Sequence, residues 1–345
     1  MKDLVIDPSR KLAPTRDHEH FPDSLPQAKE TKVHPTVSGG ENASIYFVGT
    51  ATTILEWEGI RLMTDVYRGP LRLGFLHLTF ISSQTSCMPA TTSTWDREYK
   101  EPAKPTLQST FTNFHPPSDH FDQKVEASLR RSLPIITTPH AKGCLTGKGD
   151  DESFSEVYDL DFFQSMYVDV KKQWSNRTPS IKVTGMPGKH VPPGPLSVAN
   201  EILHAVPPTN GWMLELGYKQ GNASADSFDT GYRIYISGDT LMIDELKEIP
   251  ERYKGQNIDL MLIHLGGTTI PSPKVPLLMV TMDAKQGIEL VRLINPDVTI
   301  PVHYDDYDVF LSPLDDFKKV MEEAGLSNKV VYLDRKDQYK FAVRN

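Results

Sequence analysis

Six residues, His115, Asp119, His120, His190, Asp239 and His303, constrain this chain more than any other feature. Five of them follow an extended apolar run or sit in a loop rich in proline and glycine, in the stretches FHPPSDHFD, MPGKHVPPG, RIYISGDT and VTIPVHYDD. Imidazole and carboxylate groups carried on several strand ends can converge on a divalent ion such as zinc, manganese or iron. An ion held that way makes a nucleophile of water near neutral pH. The pattern asks for a fold whose strands end together, and it points to hydrolysis rather than to binding alone.

The local readings differ in sharpness. In FHPPSDHFD two prolines bend the chain, and the adjacent Asp119 and His120 point to opposite sides of an extended backbone. That suits two ions a few ångströms apart. Asp239, at the mouth of an apolar strand, suits a bridge between cations or, more plainly, a turn cap. His190 is fixed by flanking prolines, and His303 ends a strand where a core histidine is the alternative reading. His140 follows the run IITTP and reads as a structural hydrogen-bonding residue, while His264 reads as packing or support beneath a metal site. His204 reads as structural, and His18, His20 and His34 lie in a segment too polar to preorganise ligands.

Composition narrows the class. The 345 residues are 38% hydrophobic and 24% charged, enough for a large core in a soluble protein. The formal net charge of −8 argues against a nucleic-acid or anionic-membrane partner and leaves a small-molecule substrate. No stretch approaches the length of a membrane span. Two cysteines, Cys87 and Cys144, are too few for a disulfide framework and read as unpaired thiols, so a cytoplasmic location is expected.

Residues 1–43 read as a polar leader and 44–345 as a single domain. Ile45–Val48, Thr53–Trp57 and Ile60–Met63 are strand-like, the last ending at Asp65. Residues of about 67–114 show neither a period of 2 nor of 3.6 and read as an irregular insertion. A helix is expected over 122–133, then strands at Ile135–Thr138, Ile181–Thr184, Trp212–Tyr218, Arg233–Ile236 and Asp259–Leu265. Asp283 with Gln286 resembles a capping box before the apolar stripe Ala284, Ile288, Val291 and Ile294. Val298–Val302, a helix after Ser312-Pro313 closed by Gly325, and a strand at Val330–Leu333 complete the order. Two sheets with outer helices fit it better than strict βαβ alternation.

These residues resemble the metallo-β-lactamase superfamily. FVGTATTILEWEGIRLMTD looks like its opening strands leading to a structural aspartate, Asp65; SDHFD looks like the second half of its His-x-His-x-Asp-His signature; GKHV, SGDT and IPVHYDD look like its later ligand stretches, in order. The branch it looks closest to holds lipid phosphodiesterases and ascorbate-lactone hydrolases. The resemblance implies an α/β fold, an αββα sandwich of two mixed sheets with outer helices. It implies one or two zinc ions, with manganese or iron as alternatives. His115 and His190 would hold the first ion and Asp119, His120 and His303 the second, with Asp239 between them and Asp119 also orienting the catalytic hydroxide. Two departures adjoin the irregular segment. The signature's second histidine falls at Pro117, and LQSTFTNF is polar where a buried strand is expected. Either this is a divergent member that uses one ion or recruits a different ligand, His77 or His140, or the segment reflects an altered exon boundary or reading frame.

The function expected on this basis is metal-dependent opening of a small cyclic amide, carbamate or ester, as in a detoxifying lactamase. The rivals are a phosphodiesterase of the same fold and a degenerate member without activity.

Overall fold

Apolar residues fill both faces of the central strands, so these segments read as continuous hydrophobic runs and must be covered on two sides. The computed structural model describes residues 3–9, 14–16, 24–65, 78–81, 123–172, 177–192, 194–195, 197, 200, 207–220, 227–272, 275–305 and 310–344. The chain begins with β1 (Asp3–Ile6), β2 (Thr31–Lys32), β3 (Ala43–Gly49), β4 (Thr52–Trp57), β5 (Ile60–Thr64) and β6 (Leu78–Ile81). Next come α1 (Gln123–Ser128), β7 (Ile135–Thr137), α2 (Pro139–Thr146), β8 (Val157–Asp159), β9 (Ser165–Val170), β10 (Arg177–Met186), β11 (Gly211–Gln220) and β12 (Phe228–Ile236). The remainder holds α3 (Glu248–Arg252), β13 (Leu260–His264), β14 (Thr269–Ser272), β15 (Val275–Met279), α4 (Ala284–Ile294), β16 (Val298–Val302), α5 (Leu314–Glu323) and β17 (Gln338–Phe341).

Two mixed sheets result. One has the order β1-β9-β10-β11-β12-β13-β16, the other β2-β17-β3-β4-β5-β6-β7-β8. Their facing sides share a core in which Ile45, Phe47, Leu55 and Trp57 meet Trp212, Leu214, Ile234, Ile236, Leu260 and Leu262. The intervening residues of the same strands face outward. Tyr235, Met261 and Ile263 pack under α4 and α5 through Leu290, Val291, Phe317 and Met321. Tyr46, Ile54 and Met63 pack with Leu145 of α2 and with Leu129 and Leu133. The layers are therefore helix, sheet, sheet, helix. Asp283 caps α4 by accepting from the Gln286 amide at 2.9 Å, and Asn295 closes it in the left-handed conformation at φ 49°. The Gln286 side chain does not complete a capping box. It accepts from the Met242 amide at 2.7 Å and ties α4 to the loop after β12.

Strand direction positions the site. β12, β13 and β16 are mutually parallel, and β10 runs the same way because two antiparallel pairings separate it from β12. In the other sheet β5, β6, β7 and β8 are parallel. The carboxyl ends of one set carry Lys189–His190, Asp239, His264 and His303, and those of the other carry Asp65 and Thr138–His140. Among the described residues no helix is long and apolar enough to cross a membrane.

Several sequence expectations need correction. The polar leader is partly structural: β1 pairs with β9 and buries Leu4 and Ile6 while Asp3 and Val5 face out, and β2 pairs with β17. The irregular insertion contains β6, which lies between β5 and β7, where the resemblance wants the strand before the signature. Four residues, LTFI, are too short to show a period. The helix expected over 122–133 is confined to Gln123–Ser128, because Leu129 bridges to Thr15 and the Arg130 amide bonds the Pro14 carbonyl. At Val330–Leu333 only Val330 makes a bridge, to Thr299; the regular last strand is β17, whose alternating QYKF is again short. Cys144, buried on α2, is disulfide-bonded rather than an unpaired thiol. Two cysteines exclude a framework of bridges but not a single one; Cys87 lies outside the described residues.

Candidate metal centre

Three of the six predicted ligands fall within the described residues. His190, Asp239 and His303 are all buried. His115, Asp119, His120 and the Pro117 between them lie outside the described residues, as does His77.

The backbone holds His303 in an unusual place. It follows directly from β16, at φ 62°, and its amide donates to the Thr50 carbonyl at 2.7 Å, which joins the two sheets at their edge. Thr50 and Asp65 also have positive φ, 52° and 33°. Non-glycine residues take such angles at a cost and keep them where the surroundings over-determine them, often at functional sites. Gly266, at φ 103°, leaves room that a Cβ would fill, since that atom would stand 2.6 Å from both the His303 carbonyl oxygen and Phe310.

The imidazoles are oriented through Nδ1. His303 Nδ1 lies 3.1 Å from the Leu265 carbonyl, and His190 Nδ1 lies 2.8 Å from the Val280 carbonyl. A carbonyl only accepts, so each Nδ1 carries a hydrogen, and in the neutral ring each Nε2 keeps a lone pair. His303 Nε2 faces Asp239 Oδ2 at 3.5 Å, and Asp239 Oδ2 also accepts from Thr281 Oγ1 at 3.2 Å. Val280 and Thr281 therefore hold His190 and Asp239 from adjacent positions. The two loops are further joined where the Lys189 amide donates to Thr240 Oγ1 at 2.9 Å and the Leu241 amide to the Lys189 carbonyl at 2.9 Å.

A second buried pair lies beside the first. His264 Nε2 is 3.4 Å from Asp65 Oδ2, and the His264 and His303 rings are 5.7 Å apart. The His264 amide donates to Ser237 Oγ at 2.9 Å. Phe310 meets His303 edge-on at 4.9 Å and closes its other side. Sequence reading placed His264 in support of the site but gave no sign of its pairing with Asp65, or of Thr281 behind Asp239. Contacts between residues this far apart in the chain leave no local pattern.

This arrangement bears on whether a metal fits. Two tetrahedral zinc ligands, one nitrogen and one oxygen, stand about 3.4 Å apart, whereas hydrogen-bonded N and O stand at roughly 2.9 Å. The His303–Asp239 separation of 3.5 Å has the first spacing, with a lone pair on each atom. Among the described residues no three His, Cys, Asp or Glu side chains form a complete metal-binding group. The described donors thus fit one side of a metal centre. Asp305, two residues beyond His303, has its carboxyl pushed above the ordinary range by burial, with Arg335 opposing.

Comparison with known proteins gives a consistent picture. No family model matches the chain. An archaeal protein from Archaeoglobus fulgidus, named a UPF0173 metal-dependent hydrolase, is 25% identical over 239 residues, covering 66% of this chain and 79% of that protein. A second UPF0173 metal-dependent hydrolase, from Methanosarcina mazei, is 30% identical over 103 residues, which span 38% of its length. The isothiocyanate hydrolase from Delia radicum gut bacteria superposes with a TM-score of 0.55 at 12% identity, over 87% of this chain and all of that one. A metallo hydrolase from the archaeon Ignicoccus hospitalis does so with 0.52 at 15% identity, over 88% of this chain and 99% of its own. The two mixed sheets between helices and these likenesses agree on the αββα fold that the sequence resemblance implies, and the relatives it is similar to are named metal-dependent hydrolases.

Proposed function

We propose that this chain is a metal-dependent hydrolase that opens a small cyclic amide, carbamate or ester. The observation that carries the reading is the His303–Asp239 pair, whose 3.5 Å spacing and facing lone pairs suit a shared ion. His190, Asp239 and His303 hold that ion, together with His115, Asp119 and His120. Zinc suits imidazole and carboxylate donors, one or two per chain, with manganese or iron as alternatives. When bound, it supplies a water acidified to a pKa of about 7 and a Lewis acid beside the scissile carbonyl. The chain's own residues do the rest. Val280 and Leu265 fix the imidazole rings, Thr281 holds Asp239, and the surrounding core excludes water.

An uncharged substrate is favoured over a phosphodiester by the surroundings of His190. The cation nearest in sequence, Lys189, is engaged by Glu245. The names of the archaeal relatives support hydrolysis as the reaction class. The test is elemental analysis of the purified chain together with hydrolysis of neutral lactones and lactams. We expect one or two zinc equivalents, activity lost to a chelator and activity restored by zinc. No bound ion after reconstitution with zinc, manganese and iron would sink the reading. Turnover of a phosphodiester but of no lactone or lactam would replace it with the phosphodiesterase alternative.

A further inference from the structure

One imidazole on the same sheet edge has no part in the reading above. His140 is the second residue of α2, which starts where β7 ends. Thr138 caps that helix, accepting from the Ala141 amide at 3.2 Å. Pro139 supplies a preset first turn. β7 runs parallel to β6 and β5, so its carboxyl end points to the edge that carries Asp65.

From there His140 lines a cavity of about 460 Å³ that His190, from a loop of the other sheet, lines as well. Phe162, Val191, Pro207 and Pro208 supply flat apolar walls. Of the two charged residues that line it, Lys189 is engaged by Glu245, and the Asp161 carboxylate accepts from the Phe162 amide at 2.8 Å. The volume and lining suit a small, uncharged organic molecule. Thr209 and Asn210, which follow Pro207 and Pro208, line the cavity as well.

The geometry points to His140 as the substrate-facing proton donor to the leaving group of an uncharged ester, lactone or lactam held in this cavity. The proposal rests on the hydrolase reading. In the step, the oxygen of one water forms the new bond to the carbonyl carbon. The bond from that carbon to the leaving heteroatom breaks, and the heteroatom keeps the electron pair. The His140 imidazolium gives it a proton and becomes neutral imidazole. The proton released by the attacking water then restores the imidazolium, so one water is consumed and no charge is left over.

The experiment uses the zinc-loaded full chain and two neutral esters of one acid, 4-nitrophenyl butyrate and ethyl butyrate. Nitrophenolate leaves without a proton, while ethoxide needs one. In His140→Gln we expect kcat/KM for the ethyl ester to fall roughly 10²-fold, the lower end of what general acid catalysis contributes. The nitrophenyl ester, the zinc content and the melting temperature should stay as in the wild type. Equal losses on both esters would overturn the proposal, since a positioning or packing role does not distinguish leaving groups. A drop in zinc content would overturn it in favour of a ligand role. If His140→Gln does not fold, the wild-type solvent isotope effect decides. A larger effect on the ethyl than on the nitrophenyl ester supports proton donation, and equal effects overturn it. If the wild type turns over neither ester and no lactone or lactam, the hydrolase reading fails together with this inference; turnover of both esters with an unchanged leaving-group dependence in the variant defeats the inference alone.

Discussion

His303 Nε2 stands 3.5 Å from Asp239 Oδ2 while its Nδ1 lies 3.1 Å from the Leu265 carbonyl, so the ring is anchored at one nitrogen and turned toward the carboxylate at the other. If that second nitrogen and the carboxylate share an ion, removing either group removes a ligand. Asp239→Ala and His303→Ala should each lower zinc affinity by more than the roughly 10- to 100-fold that an outer-shell change costs. Competition against a chromogenic chelator measures this. Wild-type affinity in both variants would show that the pair does not hold the ion.

Thr281 tests the layer behind the ligands. Thr281→Val keeps the shape and removes the hydroxyl that donates to Asp239. We expect zinc affinity to fall roughly 10- to 100-fold, with an unchanged circular dichroism spectrum. A variant that binds zinc as the wild type does would remove Thr281 from the support of the site.

Gly266→Ala should disable the centre through the backbone. Its positive φ and the 2.6 Å approach of a new Cβ to the His303 carbonyl and to Phe310 leave no room for the methyl group. Strain of this kind costs on the order of 1–3 kcal/mol. Activity should fall with the melting temperature, whereas Gly255→Ala, with φ 75° but open space around it, should lose only stability. Equal residual activity in the two variants would contradict the claim.

The apolar stripe of α4 gives a stability prediction. Leu290 is fully buried between that helix and its sheet. Leu290→Ala should cost about 2–5 kcal/mol in chemical denaturation. A loss under about 1 kcal/mol would mean that the helix is not a packed layer.

Alkaline stability follows from Tyr218. Burial and its hydrogen bond to Glu58 push the phenol up to about 12. The unfolded phenol ionises near 10, so the folded chain holds its proton longer. This contribution is whole below pH 10 and is lost as pH rises through about 12. Tyr158, also pushed up to about 12 with Glu156 as partner, acts in the same direction. In Tyr218→Phe the decline of the denaturation midpoint above pH 10 should be shallower than in the wild type. An identical decline would exclude the phenol.

The sequence was most legible where burial imposes a period or a run. The stripe of α4, the cap at Asp283 and the strands that end at Asp239 and His303 each leave a local pattern that the structure bears out. Short elements were lost: β6 and β17 have four residues each, too few to display alternation. β1 hid in a polar neighbourhood because only Leu4 and Ile6 face inward. Long-range pairings were invisible for a different reason. The approach of His264 to Asp65, and the cavity that His140 shares with His190, depend on which strands lie side by side, and no window of sequence contains both partners.

The bond from the His303 amide to the Thr50 carbonyl crosses from one sheet to the other at the edge where the site lies. That edge is a seam, and an ion held by residues from both sheets would act as a clasp on it. Binding and cohesion then become one equilibrium. Whatever tightened the seam would then raise affinity, and stripping the ion would loosen the edge that the His303–Thr50 bond closes.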